Sequence, residues 1–184
     1  MTIFLTGYMA SGKTTLGRAL ARATGRPFYD LDFYIEQRFR RKVSEIFAER
    51  GEGEFRRMES EMLREIGELD DVIISCGGGT PCHNDNMAYM NERGMTLWLD
   101  APVDVIVRRL LVAKTKRPIT ARYSREELPD FVAKHLSERM PYYSQARLRV
   151  DASDLESREA IDNSVRQLYP YLSLSFKTTC GGSI

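Results

Sequence analysis

The chain is poor in the features that mark exported, membrane-spanning or nucleic-acid-coating proteins. It has no apolar run long enough to cross a bilayer. Neither charge is in excess: 27 Lys and Arg stand against 26 Asp and Glu, a formal net charge of +1. No global field therefore draws it to nucleic acid or an anionic membrane. Cysteine is scarce and odd in number, at Cys76, Cys82 and Cys180, without the close pairs that zinc sites use. That pattern fits a reduced compartment. The two histidines, His83 and His135, are isolated and suggest no triad. The opening TIFLT lacks the basic region and apolar stretch of a secretion signal. The expectation is a cytoplasmic protein with no nucleic-acid or membrane partner.

What is present is a length of 184 residues with 42% apolar content, enough for one domain with a sizeable core. Short apolar runs at 3–6, 27–31, 72–76, 96–99 and 148–151 alternate with stretches whose apolar residues recur every three or four positions. The latter lie at 14–24, 32–40, 43–50, 54–69 and 102–113. Such alternation predicts an α/β fold, a five-stranded parallel sheet covered by helices on both faces. Continuous apolar strands such as VIIS and TLWL suit central positions. Ser124 and Glu127 form a capping-box pattern that predicts a helix to about residue 138. Pro102 stands where a helix begins, at a position its missing donor suits. The stretch KTKRPITARY, 114–123, has no clear periodicity and reads as a mobile crossing segment. Residues 1–172 read as a single domain and 173–184 as a poorly ordered tail.

The stretch GYMASGKT, residues 7–14, matches the phosphate-binding pattern G-x-x-x-x-G-K-[ST]. Its context is right, with strand TIFLT before it and helix KTTLGRALARAT after. Glycines at both ends let backbone amides turn inward, and the helix adds its positive N-terminal end. Ala10, Ser11, Gly12, Lys13, Thr14 and Thr15 are the candidate nucleotide-binding residues. Lys13 supplies a point charge for the β- and γ-phosphates, and the Thr14 hydroxyl a ligand for Mg²⁺. A switch GTPase would show N-K-x-D, which the chain lacks, and the run VIISCGGGT ends in glycines where a mechanical ATPase has an acidic residue. A small-molecule kinase is left in front.

At this point a specific likeness appears. The stretches GYMASGKTTLGRALA, DLDFYIEQ, SEIFAERGEGEFRRMESE, SCGGGT, KRPIT and ERMPYYSQA follow one another in the order of the shikimate kinases, which the chain resembles from residue 3 to about 150. The resemblance implies a fold of the nucleoside monophosphate kinase type, with a substrate-binding segment at about 32–60 and a lid at about 112–125. It implies transfer of the ATP γ-phosphate to a hydroxyl of shikimate, with Mg²⁺ as cofactor, by a monomer. A related kinase acting on another hydroxy acid such as gluconate is the alternative. A nucleotide-dependent regulatory module without turnover is another, separated by acceptor-dependent ADP release.

Residues are assigned on the same footing. Asp30 and Asp32 lie two apart at the end of the second strand, so both are expected on one side, at the carboxyl edge that borders the ligand crevice. Asp30 would orient a water on Mg²⁺. Asp32 matches the acceptor-binding aspartate of the family and would accept the hydrogen bond, and the proton, of the attacking hydroxyl. The plainer alternative is that one of the two caps the next helix. Gly77, Gly78 and Gly79 suggest a ligand against bare backbone, and the resemblance puts them on the shikimate side. It also puts Arg56 and Arg139 on the substrate carboxylate, a forked recognition that lysine does not reproduce. Adjacent helical positions diverge by about 100°, so Arg57 is expected to be a solvated charge. Glu59 would hold Arg56 or touch a substrate hydroxyl. Arg117, with Pro118, matches the lid motif and would stabilise charge on the transferring phosphoryl group. Arg109 is a candidate for the adenine. Trp98 and Cys76 read as core, and Phe47 and Phe55 as core or pocket wall.

Overall fold

The computed structural model describes residues 1–113 and 122–172. Five parallel strands form one sheet: β1 Thr2–Thr6, β2 Phe28–Asp30, β3 Ile73–Ser75, β4 Gly94–Asp100 and β5 Leu148–Asp151. Their order is β2-β3-β1-β4-β5, with β1 at the centre. Seven helices among the described residues complete it: α1 Lys13–Thr24, α2 Leu31–Phe39, α3 Val43–Gly67, α4 Asn86–Arg93, α5 Val103–Val112, α6 Leu128–Tyr143 and α7 Arg158–Leu172. None of them is long and apolar enough to cross a membrane.

The strands alternate sides as a period of two requires. Ile3, Leu5 and Ile73 face Leu16 and Leu20 of α1 and a cluster that takes in α5, α6 and α7. Phe4 and Ile74 face the other way, onto Leu31 and Ile35 of α2 and Leu63 of α3. The sheet is therefore buried on both faces, the three-layer arrangement expected from the near-continuous apolar strands. Because β1 is central, its carboxyl end opens between neighbours on both sides, and the phosphate loop emerges there.

Several boundaries differ from the expected ones, each for a local reason. The two helices expected at 43–50 and 54–69 are one run, kinked at Gly51, whose φ of 76° interrupts the helical dihedrals without ending the element. The Ser124–Glu127 box forms, with each backbone amide reaching the other's side chain. It closes a turn ahead of the helix, which starts at Leu128 and runs beyond residue 138 to Tyr143. Pro102 is the cap of α5 rather than its first helical residue, with ψ at 153°. The expected lid arginine, Arg117, with Pro118, and the tail at 173–184 lie outside the described residues.

Helix α1 sits tightly on the sheet because it presents Gly17. A Cβ there would overlap the Phe28 ring edge and lie 2.7 Å from Leu5 Cδ1. Gly17→Ala is accordingly expected to destabilise the fold by about 1–3 kcal/mol through overpacking, although alanine favours an isolated helix by about 1 kcal/mol. Urea unfolding checks this; a more stable variant would mean that α1 can lift off the sheet without loss.

Candidate active site

The loop between β1 and α1 owes its shape to three left-handed residues, Gly7 (φ 131°), Ala10 (φ 62°) and Gly12 (φ 103°). The glycines are also sterically required. A Cβ at Gly7 would lie 2.6 Å from the Leu99 carbonyl oxygen, and one at Gly12 would lie 2.7 Å from Leu155 Cδ1. Helix α1 begins at Lys13 with no acidic residue in its first turn, so nothing in that turn offsets its positive end. Lys13 Nζ donates to the carbonyls of Gly7 and Tyr8, both at 2.8 Å, which holds the ammonium over the loop.

Beside the loop opens a cleft of about 360 Å³, bordered by Ala10, Gly12, Lys13, Thr14 and Thr15. Its far side carries Asp30, Asp32, Gly77 and Gly78, so one recess gathers the nucleotide motif, the aspartates and the glycine turn. Ser11 is the exception among the loop residues. It is fully buried, and its hydroxyl has no hydrogen-bond partner among the described residues. Arg109 also borders the cleft, but its guanidinium is occupied by carbonyls. It donates to Ala10 and Ser11 on one side and to Ala152 and Ser153 on the other. It ties the phosphate loop to the loop after β5, a role that the sequence did not disclose.

Asp30 does two things at once. Its Oδ1 accepts from the Phe33 amide as the N-cap of α2, and its Oδ2 accepts from Thr14 Oγ1 at 3.0 Å. The capping alternative is therefore realised, and the same carboxylate borders the cleft beside Thr14. A hydroxyl and a carboxylate in contact beside Lys13 are hard oxygen donors of the kind that suit Mg²⁺. The geometric reason for placing Asp32 next to Asp30 needs correction. Strand β2 ends at Asp30 and Asp32 belongs to the first turn of α2, so strand alternation is not what brings them together. The helix start turns Asp32 back into the cleft.

Residues 77–79 carry more than the expected turn. None has a positive φ. What they lack is side-chain volume. A Cβ on Gly77 would lie 3.0 Å from both Asp32 Oδ1 and Glu59 Oε1. One on Gly78 would lie 3.1 Å from Arg139 Nη1 and 3.3 Å from the Met9 amide, and one on Gly79 only 2.5 Å from Arg56 Nη2. Each glycine gives up its side chain to a different charged group. The turn is held by Tyr143, whose hydroxyl donates to the Gly78 carbonyl at 2.6 Å.

Arg56 and Arg139 come from α3 and α6 to this turn. Arg56 Nη1 pairs with Glu59 Oε2 at 2.7 Å, while Glu59 Oε1 accepts from Thr80 Oγ1 at 2.5 Å. Glu52 takes the outer edge of the same guanidinium at 3.2 Å. Phe47 and Phe55, tilted against each other with centroids 4.3 Å apart, lie against it at 5.6 and 5.3 Å. Phe55 belongs to the core cluster on this side of the sheet, and Phe47 packs against that cluster. Arg57 is solvated as expected and pairs with Glu54 and Glu61. Arg139 lies over the ring of Tyr8, 5.6 Å from its centroid. Its field and that of Arg56 both reach the half-buried Cys82 thiol, whose pKa burial nonetheless raises. The two guanidinium groups reach adjacent residues of the turn, Arg139 at Gly78 and Arg56 at Gly79. Cys76, fully buried, is pushed well above the usual thiol range by burial and stays a neutral thiol.

A shikimate kinase family model matches residues 9–169. The chain belongs to the shikimate kinase family. It is 53% identical over 172 residues to the shikimate kinase of Bacteroides fragilis, covering 94% of this chain and 96% of that protein. The solved structure of the Bacteroides thetaiotaomicron shikimate kinase superposes with a TM-score of 0.91 at 49% identity, over 95% of this chain and 99% of that one. The Acinetobacter baumannii shikimate kinase, solved in complex with shikimate, gives a TM-score of 0.81 at 29% identity over 96% and 95% of the two chains. Membership makes the chain an ATP-dependent kinase with an alcohol acceptor.

Glu59 is 1% exposed and depends on its two partners. Glu59→Leu leaves the Arg56 guanidinium with only the outer Glu52, and is expected to cost about 3 kcal/mol of unfolding free energy. Urea titration measures it, and a loss below about 1 kcal/mol would class the pair with screened surface contacts.

Proposed function

We propose that this cleft transfers the ATP γ-phosphate to the 3-hydroxyl of shikimate, giving shikimate 3-phosphate and ADP. One observation carries the assignment of its two halves. The missing side chain of Gly78 is bounded by the phosphate loop, at Met9 and Gly7, and by Arg139. An anion cradle and a guanidinium-lined recess thus share a single backbone wall, close enough for in-line displacement between them.

The triphosphate lies along residues 10–15, with Lys13 and the N-terminus of α1 facing the β- and γ-phosphates. Thr14 and Asp30 would hold the Mg²⁺, Asp30 through a water. The ion, when bound, neutralises charge on the phosphates. Arg56 and Arg139 grip the shikimate carboxylate, and the wall of residues 77–79 lies against its ring. Asp32 accepts the hydrogen bond of the reacting hydroxyl and takes its proton as the oxygen attacks. Arg117, which lies outside the described residues, is assigned from the KRPIT motif alone to stabilise charge on the transferring phosphoryl group. Little covalent work falls to the protein, so catalysis rests on positioning and charge stabilisation. The protein works as a cytoplasmic monomer, without nucleic acid or membrane.

Gluconate and other hydroxy acids share the carboxylate but not the rigid ring that lies flat on bare backbone, and shikimate is favoured on that ground. The test is ADP release with ATP, Mg²⁺ and a panel of hydroxy acids. Shikimate is expected to be the preferred acceptor; faster turnover of gluconate would replace it, and release independent of acceptor would remove the kinase assignment. In the same assay, with calorimetry, Arg139→Ala is expected to weaken shikimate binding by about 2–5 kcal/mol as one desolvated member of a charge pair is lost, with nucleotide affinity retained. Unchanged shikimate affinity would exclude Arg139 from the carboxylate clamp.

A further inference from the structure

Tyr8 is an unspecified position of the phosphate-binding pattern, and nothing in the nucleotide chemistry calls for an aromatic residue there. Yet its side chain is 1% exposed and is one of the largest fully buried groups in the protein. Its two ends belong to different halves of the site. The Tyr8 carbonyl accepts from Lys13 Nζ at 2.8 Å and from the Ser11 amide at 3.2 Å, on the nucleotide side. The ring lies under the Arg139 guanidinium, on the acceptor side.

The ring is itself fixed. Its hydroxyl is hydrogen-bonded to His135 Nδ1 at 2.9 Å, and the two rings meet edge-on. His135 stands four residues before Arg139 on α6, so both project from the same helical face onto one phenol. Phe131, four residues earlier again, packs on His135 at 5.2 Å, and Tyr123 stacks on Phe131 at 4.1 Å. Burial raises the Tyr8 pKa to about 12, and burial followed by the Arg139 charge lowers that of His135. The pair is therefore neutral at pH 7. A neutral floor suits this place, since an aromatic face attracts and orients a cation while leaving its charge for an incoming anion.

We infer that Tyr8 is a positioning residue whose ring, pinned by His135, sets where the Arg139 guanidinium meets the acceptor carboxylate. This rests on the proposal that Arg139 binds that carboxylate. The alternative is that Tyr8 only fills space. The two differ in what a variant feels: a space-filling role affects every acceptor alike, whereas a role through Arg139 is felt only by a carboxylate.

The experiment is calorimetry of the full chain with shikimate and with its methyl ester, which keeps ring and hydroxyls but lacks the charge. Tyr8→Leu is expected to weaken shikimate about tenfold, within the range of a desolvated cation–π contact, and the ester by no more than about twofold. Tyr8→Phe, which keeps the ring, is expected to stay within about threefold of the unaltered chain for both ligands. Tyr8→Leu combined with Arg139→Ala is expected to bind shikimate no more weakly than Arg139→Ala alone, since both remove one interaction. Tyr8→Met takes the place of Tyr8→Leu if the leucine chain does not fold. Equal losses for acid and ester, a Tyr8→Phe loss as large as that of Tyr8→Leu, or additive losses in the double variant would overturn the inference. If Arg139→Ala alone leaves shikimate binding intact, the carboxylate assignment falls and this inference with it. A normal Arg139→Ala loss beside an unaffected Tyr8→Leu overturns this inference only.

Discussion

The site depends on bare backbone at residues 77–79. Four charged side chains, Asp32, Glu59, Arg139 and Arg56, approach that turn from three helices, each within about the reach of a single methyl group. Any Cβ there would push one of them away, and the turn could then border the phosphate loop or the guanidinium groups but not both. Close approach, rather than conformational freedom, is what glycine supplies, since none of the three sits in the left-handed region. Tyr143 fastens the turn from behind, and the parallel sheet delivers it at the carboxyl end of β3, immediately beside the loop that leaves β1.

Much of the fold was legible in the sequence because its signals are local and repeated. Five apolar runs alternating with amphipathic stretches leave few arrangements other than a parallel sheet in three layers. The phosphate loop was legible for a related reason: its function requires glycine, lysine and threonine at fixed spacing, whatever the rest of the chain does. Boundaries were less so. The kink at Gly51 leaves one helix where two were expected, and the Ser124–Glu127 box closes a turn ahead of α6 without starting it.

The site residues divide along the same line. Lys13, Thr14, Asp30 and Asp32 lie close in sequence to elements that place them, and they meet in the cleft. Asp32 reaches it for a different reason from the one that alternation suggested, because the strand ends one residue after Tyr29 and the chain turns into a helix. Arg56 and Arg139 are separated by a little under half of the chain. Their convergence was available only from the family likeness, since in composition they resemble any surface arginine. Arg109 as a bracket between two loops, and Tyr8 with His135, had no signal at all. Arg109 reaches partners 43 and 99 residues away and Tyr8 one 127 residues away, and no spacing rule covers contacts of that range.

The two arginines of the proposed clamp are held by different physics, and that difference has a consequence. Arg56 is paired with a buried carboxylate and edged by a second one, so much of its charge is already balanced. What the pair fixes is direction, since a guanidinium bonded along one edge presents the other in a known plane. Arg139 rests on a neutral aromatic face, which orients a cation without cancelling it. In the proposed binding mode, an entering carboxylate would meet one arginine that is rigid and partly neutralised and one that rests on an uncharged ring. Two fully neutralised arginines would recognise shape with little attraction. Two free ones would have to be ordered at the moment of binding, losing side-chain entropy that each carries in large measure. The mixed arrangement keeps attraction and orientation together. It also places the more attractive of the two against the residue whose backbone touches Lys13, so that in the proposed mode one piece of chain would locate both the acceptor anion and the transferred phosphate.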